Sequence, residues 1–347
     1  IEQCYDQSIA GKVPGIKDEK NRWNVNGHPD RVVRVGRPEL KLFAQLFDGS
    51  DIADEARLPA IHARQLVDVL RAFARQEKTI SSLGNQVFTT EMWHETNAQR
   101  DSTISRDVHF AETPLDLVCS GPHIGVANPL FKTSRRVCRL NSDYDSIDLT
   151  TIDESYMPRT NYSPACPMDE YMRRVPTTPW GEKYTSNYRL FARRRLSLSG
   201  ERTLISAVVP PDVTHINTVF GIFALDLRLL ALMAGCFSSA PFDFFIKAVG
   251  KADFRFDNAS NLPILDSSPT TDAIVYRYII LGCLTRHYEK LWAEVYDEGI
   301  REDSWAKSDP RLRPERFTSL TPEWTWDTPL RTHYERRQAL VEIDVLT

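Results

Sequence analysis

A short run, Asn128-Pro129-Leu130-Phe131, contains residue types that could hold a nucleobase outside its stack. In such a site an amide and a backbone carbonyl accept hydrogen bonds from the base amine, while an aromatic ring stacks on the base. A second proline would be expected where Leu130 stands, and the chain contains no Gly-x-Gly loop for a cofactor. The run therefore favours a simpler interpretation, a turn that presents Lys132 to phosphate groups.

Two further patterns suggest metal chemistry, but their spacing is wrong. Asp30, Glu39 and Lys41 match the loose pattern of a magnesium-dependent nuclease, yet Glu39 and Lys41 fall in a predicted helix instead of on adjacent strands. His94 begins a pattern typical of zinc-binding helices, but Ala98 occupies the place of the second histidine. We therefore predict no catalytic residue and no metal ligand in this chain.

The composition is that of a globular protein with local segregation of charge. The chain has 347 residues, 41% hydrophobic and 26% charged, with a net charge of −4, so any affinity for DNA must come from local clusters of cations. Residues 131–139 and 183–202 form two such clusters, separated by an acidic patch at residues 143–154. The alternative is that these are solvated faces that pair with one another.

The periodicity of apolar residues predicts helices at both ends and a sheet between them. Apolar residues recur at helical intervals over residues 40–47 and 66–74, with Pro59 expected in the opening turn of the second helix. A long amphipathic helix is predicted over residues 271–300 and a last helix from about Pro329. The sequence therefore predicts an α+β fold.

The middle of the chain, residues 110–265, predicts a mixed or antiparallel sheet. Residues 203–209 form one strand, which Pro210 and Pro211 must end because proline cannot donate to a β-ladder. A helix is predicted from Val219 to about Gly235, and the aromatic run at residues 242–245 is predicted to pack in the core. The six cysteines include no C-x-x-C pair and are expected to be reduced and structural.

The order of elements from Arg202 to Leu265 carries a resemblance to a known family. An apolar strand, a double proline, an apolar helix, an aromatic run into Gly250 and a Leu-Pro edge follow one another. This order resembles the specificity region of adenine-modifying type II restriction-modification methyltransferases, including phage-defence methylases. The resemblance extends through Thr90–Gln99, Ser120–Arg136, Met157–Ala165 and Arg336–Leu346.

The resemblance implies a domain organisation and a function. It places a DNA target-recognition domain at residues 110–268, between a helical N-terminal segment at 1–109 and a helical C-terminal segment at 269–347. The implied function is sequence-specific recognition of double-stranded DNA, as the specificity part of an S-adenosylmethionine-dependent adenine DNA methyltransferase of a restriction-modification or phage-defence system. The alternative is a protein–protein interaction scaffold of a defence complex, which uncharged helical faces with buried tryptophans would favour.

Partners and cofactors follow from the same resemblance. The first residue is not methionine and the last residues lie within a predicted helix, so we expect a piece of a longer polypeptide. S-adenosylmethionine would bind in a methyltransferase domain of that parent chain, and no cofactor is expected in this one. Double-stranded DNA, that methyltransferase domain and defence-system proteins are the expected partners. A cytoplasmic location without a membrane is expected, since the longest apolar run is interrupted by charges.

Two groups of side chains are the candidate DNA contacts. Because cations neutralise phosphates, the candidates for the backbone are Lys132, Arg135, Arg136, Arg193, Arg194, Arg195, Lys247 and Lys251. Arginine pairs with guanine and asparagine with adenine in the major groove, so the base-reading candidates are Arg159, Asn161, Tyr162, His215 and Asn217. Ordinary structural roles in loops and helix caps are the alternative for these residues.

Overall fold

The computed structural model describes residues 8–15, 17–20, 22–197 and 200–347 and confirms an α+β fold. The described helices are α1 (Arg37–Phe43), α2 (Gln65–Ala74), α3 (Glu95–Arg100), α4 (Met168–Arg174), α5 (Leu227–Phe237), α6 (Ala240–Val249), α7 (Phe256–Ala259), α8 (Pro269–Gly282), α9 (Glu289–Val295) and α10 (His333–Leu346). The described strands are β1 (Val87–Thr90), β2 (Ile104–Phe110), β3 (Val118–Cys119), β4 (Lys132–Ser134), β5 (Tyr144–Ser146), β6 (Arg159–Pro164), β7 (Arg189–Arg193), β8 (Ser206–Val209), β9 (Thr214–His215) and β10 (Val219–Ala224).

A four-stranded antiparallel sheet, in the order β1-β10-β7-β8, lies at the centre of the fold. Both of its faces are covered. Alternate residues of β10, such as Phe220 and Ile222, belong to one hydrophobic core, and Val219 and Phe223 belong to another on the opposite face. Residue 221, in the middle of β10, is a glycine because the Tyr184 hydroxyl occupies the space that a Cβ would need.

The larger core joins the sheet to the helices. Residues of α1, α2, α5, α6 and α8–α10 all contribute to it, and α5 packs against α8, which packs against α10. The aromatic run predicted to lie in the core does so, since Phe242 and Phe245 are buried and Phe245 stacks on Phe73 with ring centroids 4.8 Å apart.

The smaller core includes residues of β2, β3 and β6, which belong to two of the three two-stranded ladders, the antiparallel pair β2–β6 and the parallel pair β3–β9. The third ladder is the antiparallel pair β4–β5. Because β1 precedes residue 109 and pairs with β10, the central sheet draws on both sides of that predicted boundary. The boundaries after residues 109 and 268 stay predictions.

The prediction of a helix from Val219 was wrong for its first part. Residues 219–224 are strand β10, and the helix begins at Leu227, with Asp226 as its N-cap. A strand buried on both faces is a continuous apolar run, which periodicity cannot distinguish from a buried helix. Leu225 lies between the strand and the helix and is 47% exposed.

Other boundaries also shift. Helix α2 begins at Gln65, so Pro59 lies in the preceding loop, and the predicted helix over 271–300 is divided into α8 and α9 around Cys283. The last helix begins at His333, after the predicted Pro329. Strand β8 ends at Val209, directly before the double proline, as predicted.

No single helix among the described residues is long and apolar enough to cross a bilayer. One pair, α5 and α6, passes that test together by length and composition, with a bend of 68° between the two helices.

Candidate nucleic-acid interface

The β4–β5 hairpin brings one of the predicted basic clusters to the surface. Its strands are joined by residues 135–143, and Ser134 Oγ donates a hydrogen bond to the Arg159 carbonyl oxygen at 3.3 Å on neighbouring β6. Arg106 Nη2, on β2, donates to the Cys138 carbonyl oxygen at 2.8 Å. These hydrogen bonds hold the hairpin against the β2–β6 pair.

Most cations on this hairpin and at the adjoining start of β6 form no ion pair with a carboxylate among the described residues. Lys132, Arg136, Arg139 and Arg159, which we call the hairpin face, form no ion pair with a carboxylate among the described residues. Arg135 Nη2 does pair with Asp145 at 2.8 Å, but both side chains are more than half exposed and the pair is readily exchanged.

Apolar side chains stand beside these cations. Val137 and Leu140, in the hairpin loop, are each 67% exposed, and Phe110 is 50% exposed with the Arg159 guanidinium 4.0 Å from its ring centroid. Exposed aliphatic groups among unpaired cations occur where proteins insert side chains into a nucleic-acid groove.

The second predicted basic cluster, Arg193–Arg195, is mostly used inside the protein. Arg193 donates from Nε and Nη2 to the Ile124 carbonyl oxygen at 3.0 and 2.6 Å, and desolvation lowers its pKa. Arg194 pairs with Glu91 at 2.9 Å. Only Arg195 extends into solvent, 79% exposed, beside Asp253 at 3.3 Å.

The two lysines around Gly250 are also paired. Lys247 Nζ lies 2.9 Å from the carboxylate of Asp243, which is buried, and Lys251 Nζ lies 3.1 Å from Asp257. Both lysines are partly exposed but already neutralised, so they offer a phosphate less than the hairpin face does.

Two base-reading candidates lie in a small pocket under the hairpin loop. Asn161 and Tyr162 are only 4% and 2% exposed and are held by side chains that the sequence did not single out. Asn161 Nδ2 donates to the Tyr144 hydroxyl, and the Tyr162 hydroxyl donates to Glu95. Together with Arg106, Tyr144 and Glu95, they form what we call the polar pocket.

The pocket residues that the sequence missed could have been found only from strand pairing. Arg106 is the cross-strand neighbour of Tyr162, and its guanidinium lies 5.6 Å from the tyrosine ring centroid. Residues 106 and 162 are far apart in the chain, and nothing in the local sequence indicates their pairing.

The structure does not support His215 as a base reader. Its ring is completely buried, with Nε2 3.3 Å from the Tyr184 hydroxyl oxygen, and desolvation lowers its pKa to about 3. Asn217 is half-buried, and its Oδ1 accepts a hydrogen bond from the Glu95 backbone at 3.1 Å. Asn217 therefore caps the start of α3, not the predicted helix at Val219.

Arg189, which the sequence places in the basic cluster, is a wholly internal cation. It is completely buried in β7 and donates to the carbonyl oxygens of Asn187 at 2.9 Å, Val213 at 2.7 Å and Pro210 at 2.6 Å. Among the described residues Arg189 forms no ion pair, so desolvation outweighs the opposing electrostatic effects of Tyr184 and Asp212 and lowers its pKa to about 10.

Two of the three chemical patterns of the sequence have structural roles, and the third begins at His94, the residue that directly precedes α3. Asn128 closes a turn, since its Oδ1 accepts a hydrogen bond from the Leu130 backbone at 3.0 Å, and Lys132 follows at the start of β4. Asp30 and Glu39 pair with arginines on α2 or just before it. Within the described ranges, no group of three or more His, Cys, Asp or Glu side chains could hold a metal ion.

No family model matches the chain, and no curated protein matches it significantly.

Proposed function

We propose that this chain recognises double-stranded DNA as the specificity part of an S-adenosylmethionine-dependent adenine DNA methyltransferase of a restriction-modification or phage-defence system. The observation that carries the proposal is the hairpin face, where four cations that form no ion pair with a carboxylate among the described residues lie beside exposed apolar side chains. In this proposal Arg136 and Arg139 contact phosphates and fix the register, and Arg159 reaches base edges.

The transfer chemistry belongs elsewhere in this proposal. The methyl donor and the catalytic residues are assigned to a methyltransferase domain of the parent chain, and no residue described above is assigned to them. DNA and that domain are the proposed partners, defence-system proteins are proposed as further partners, and the cytoplasm is the proposed location.

The scaffold alternative receives mixed support. Trp292 is completely buried, as that alternative expects, but an exposed helical face is charged, since the largely exposed Lys290 and Glu294 of α9 pair at 3.6 Å. Binding that does not change with salt would favour the scaffold.

The test is a fluorescence-anisotropy titration of the chain against mixed-sequence duplex DNA at several salt concentrations. We expect affinity to fall steeply with salt, and the slope of log affinity against log salt to become shallower by about 2 in the Arg136→Ala, Arg139→Ala double variant, because each phosphate contact contributes about 0.9.

A matched control is Arg34→Ala with Arg75→Ala, which removes two exposed arginines that form no ion pair with a described residue, near the other end of the chain. The control should keep the slope of the parent protein. Absence of binding at low salt, or an equal loss in the control, would refute the proposal.

A further inference from the structure

The polar pocket is a built cavity directly behind the hairpin face. It has a volume of about 150 Å³ and lies between β2, β6 and the hairpin loop, with Arg139 and Leu140 at its rim. Typical sites for drug-sized ligands are larger, roughly 300–1,000 Å³. The pocket therefore suits one small planar group and is too small for a complete nucleotide or cofactor.

Two hydrogen-bond acceptors in this pocket are unused. Asn161 is almost completely buried, with only 4% of its surface exposed, and its Oδ1 has no hydrogen-bond partner among the described residues. The Glu95 carboxylate accepts the Tyr162 hydroxyl through Oε1, while Oε2 has no described partner. A buried acceptor without a donor, such as Asn161 Oδ1, is uncommon in folded proteins because leaving it unpaired costs free energy, whereas the Glu95 carboxylate is 36% exposed and can also be hydrated.

The rest of the lining suits an aromatic ring with polar edges. The Arg106 guanidinium lies over the Tyr162 ring, and the Tyr144 hydroxyl is held 2.9 Å from Ser120 Oγ. Aromatic rings and guanidinium planes stack on unpaired bases, and carboxylate and amide oxygens accept hydrogen bonds from base amines.

We propose that the polar pocket receives one unstacked nucleobase that carries an exocyclic amine, with Asn161 Oδ1 and Glu95 Oε2 as the acceptors of that amine. This proposal rests on the proposed function, because the hairpin face must first hold the DNA backbone at the pocket. It excludes thymine, which has no amine to donate.

The test compares three labelled duplexes of otherwise identical sequence: one fully paired, one with a single bulged adenine and one with a single bulged thymine. A bulged base has already lost its pairing, so the cost of unstacking is reduced. We expect the adenine bulge to bind about tenfold more tightly than the paired duplex. The thymine bulge should bind like the paired duplex.

Asn161→Leu should abolish the preference for the adenine bulge, so that this variant binds the adenine bulge no more tightly than it binds the paired duplex. Its matched control is Asn258→Leu, which removes another buried amide, in α7, away from the pocket. If Asn161→Leu does not fold, as judged by circular dichroism, Glu95→Gln serves as the second variant, since Glu95 is 36% exposed. This variant should weaken the same preference.

The outcomes separate the two proposals. Equal binding of all three duplexes, with a salt slope that depends on Arg136 and Arg139, overturns the pocket and leaves DNA recognition standing. A preference for adenine that survives both Asn161→Leu and Glu95→Gln also overturns the pocket. Failure to bind any duplex at low salt overturns DNA recognition itself, and the pocket with it.

Discussion

In strand β7, Arg189 and Arg193 donate hydrogen bonds to backbone carbonyl oxygens, whereas in the β4–β5 hairpin the exposed Arg136 and Arg139 form no ion pair with a carboxylate in the part of the chain that the structure describes. Both segments are rich in arginine and would be equally attractive as phosphate contacts in the sequence. The difference shows that a cluster of arginines in a sequence measures cation content and not the charge available at the surface.

Other arginines repeat the pattern of β7. Arg336 of α10 is buried and donates to the carbonyl oxygens of Leu281 at 2.7 Å and Ala127 at 2.9 Å, and Arg331 donates to that of Leu284 at 3.1 Å. At these loop and helix ends, carbonyl groups that would otherwise be buried without a partner accept hydrogen bonds from guanidinium groups, each of which has up to five N–H donors.

The largest effect is expected from Arg189→Met, which keeps the length of the side chain and removes its donors. Three carbonyl oxygens, two of them in buried hydrogen bonds, would lose a charged donor, so the free energy of unfolding should fall by about 3 kcal/mol or more. Urea unfolding followed by circular dichroism measures this. Arg136→Met on the hairpin should change it by less than about 0.5 kcal/mol. A similar loss of unfolding free energy in both variants would show that the arginines of β7 and of the hairpin do not differ in structural role.

An intermediate effect is expected from acid, through the buried ring of His215 beside β10. Burial lowers the pKa of His215 to about 3 in the folded protein, against about 6.5 when unfolded. Its neutral form therefore stabilises the fold above pH 6.5, and that contribution is lost as the pH falls toward 3. Between pH 6.5 and 5 the loss should be about 2 kcal/mol.

The measurement is the urea midpoint at these two pH values for the parent protein and for His215→Gln, which cannot be protonated in this range. The urea midpoint of the variant should depend less on pH than that of the parent protein does. Some dependence should remain, since burial also lowers the pKa of His123. Hairpin variants such as Arg139→Ala should keep the full dependence. An unchanged dependence in His215→Gln would show that the ring is not desolvated as described.

The smallest effect is expected from Arg195→Ala, the one member of its cluster that resembles the hairpin cations. Its side chain is 79% exposed and its contact with Asp253 is long, so stability should change by less than about 0.5 kcal/mol. In the DNA titration its salt slope should change less than that of Arg139→Ala. An equal change in slope would show that the DNA-binding face extends to the end of β7, and the hairpin and the β7 cluster would then not differ in DNA binding.

The sequence predicted elements whose apolar pattern is local. Helix α2, the end of β8 at the double proline and the burial of the residue 242–245 run depend on nearest neighbours and were confirmed. Strand β10 was not, because its burial on two faces comes from tertiary packing that periodicity does not record.

The candidate site was less predictable than the fold. Lys132 and Arg136 were named from charge alone, but their freedom from carboxylates depends on where residues such as Asp143 and Asp145 fold. Asn161 and Tyr162 were named as base-reading candidates, whereas both lie buried on β6, where Asn161 contacts Tyr144 and Tyr162 contacts Glu95 of α3. Such long-range neighbours are decided by topology, which residue spacing does not contain.

The central sheet also sets the timing of folding during synthesis. Within the described part of the chain, strand β1 pairs with β10 alone, with Val87 opposite Ala224, so more than a hundred residues must be made before the pair can form. At roughly 5–20 residues per second, β1 waits on the order of ten seconds on the ribosome without its partner. Nascent chains arrested before residue 219 should therefore leave residues 87–90 unprotected in hydrogen exchange, and chains arrested well beyond β10 should protect them.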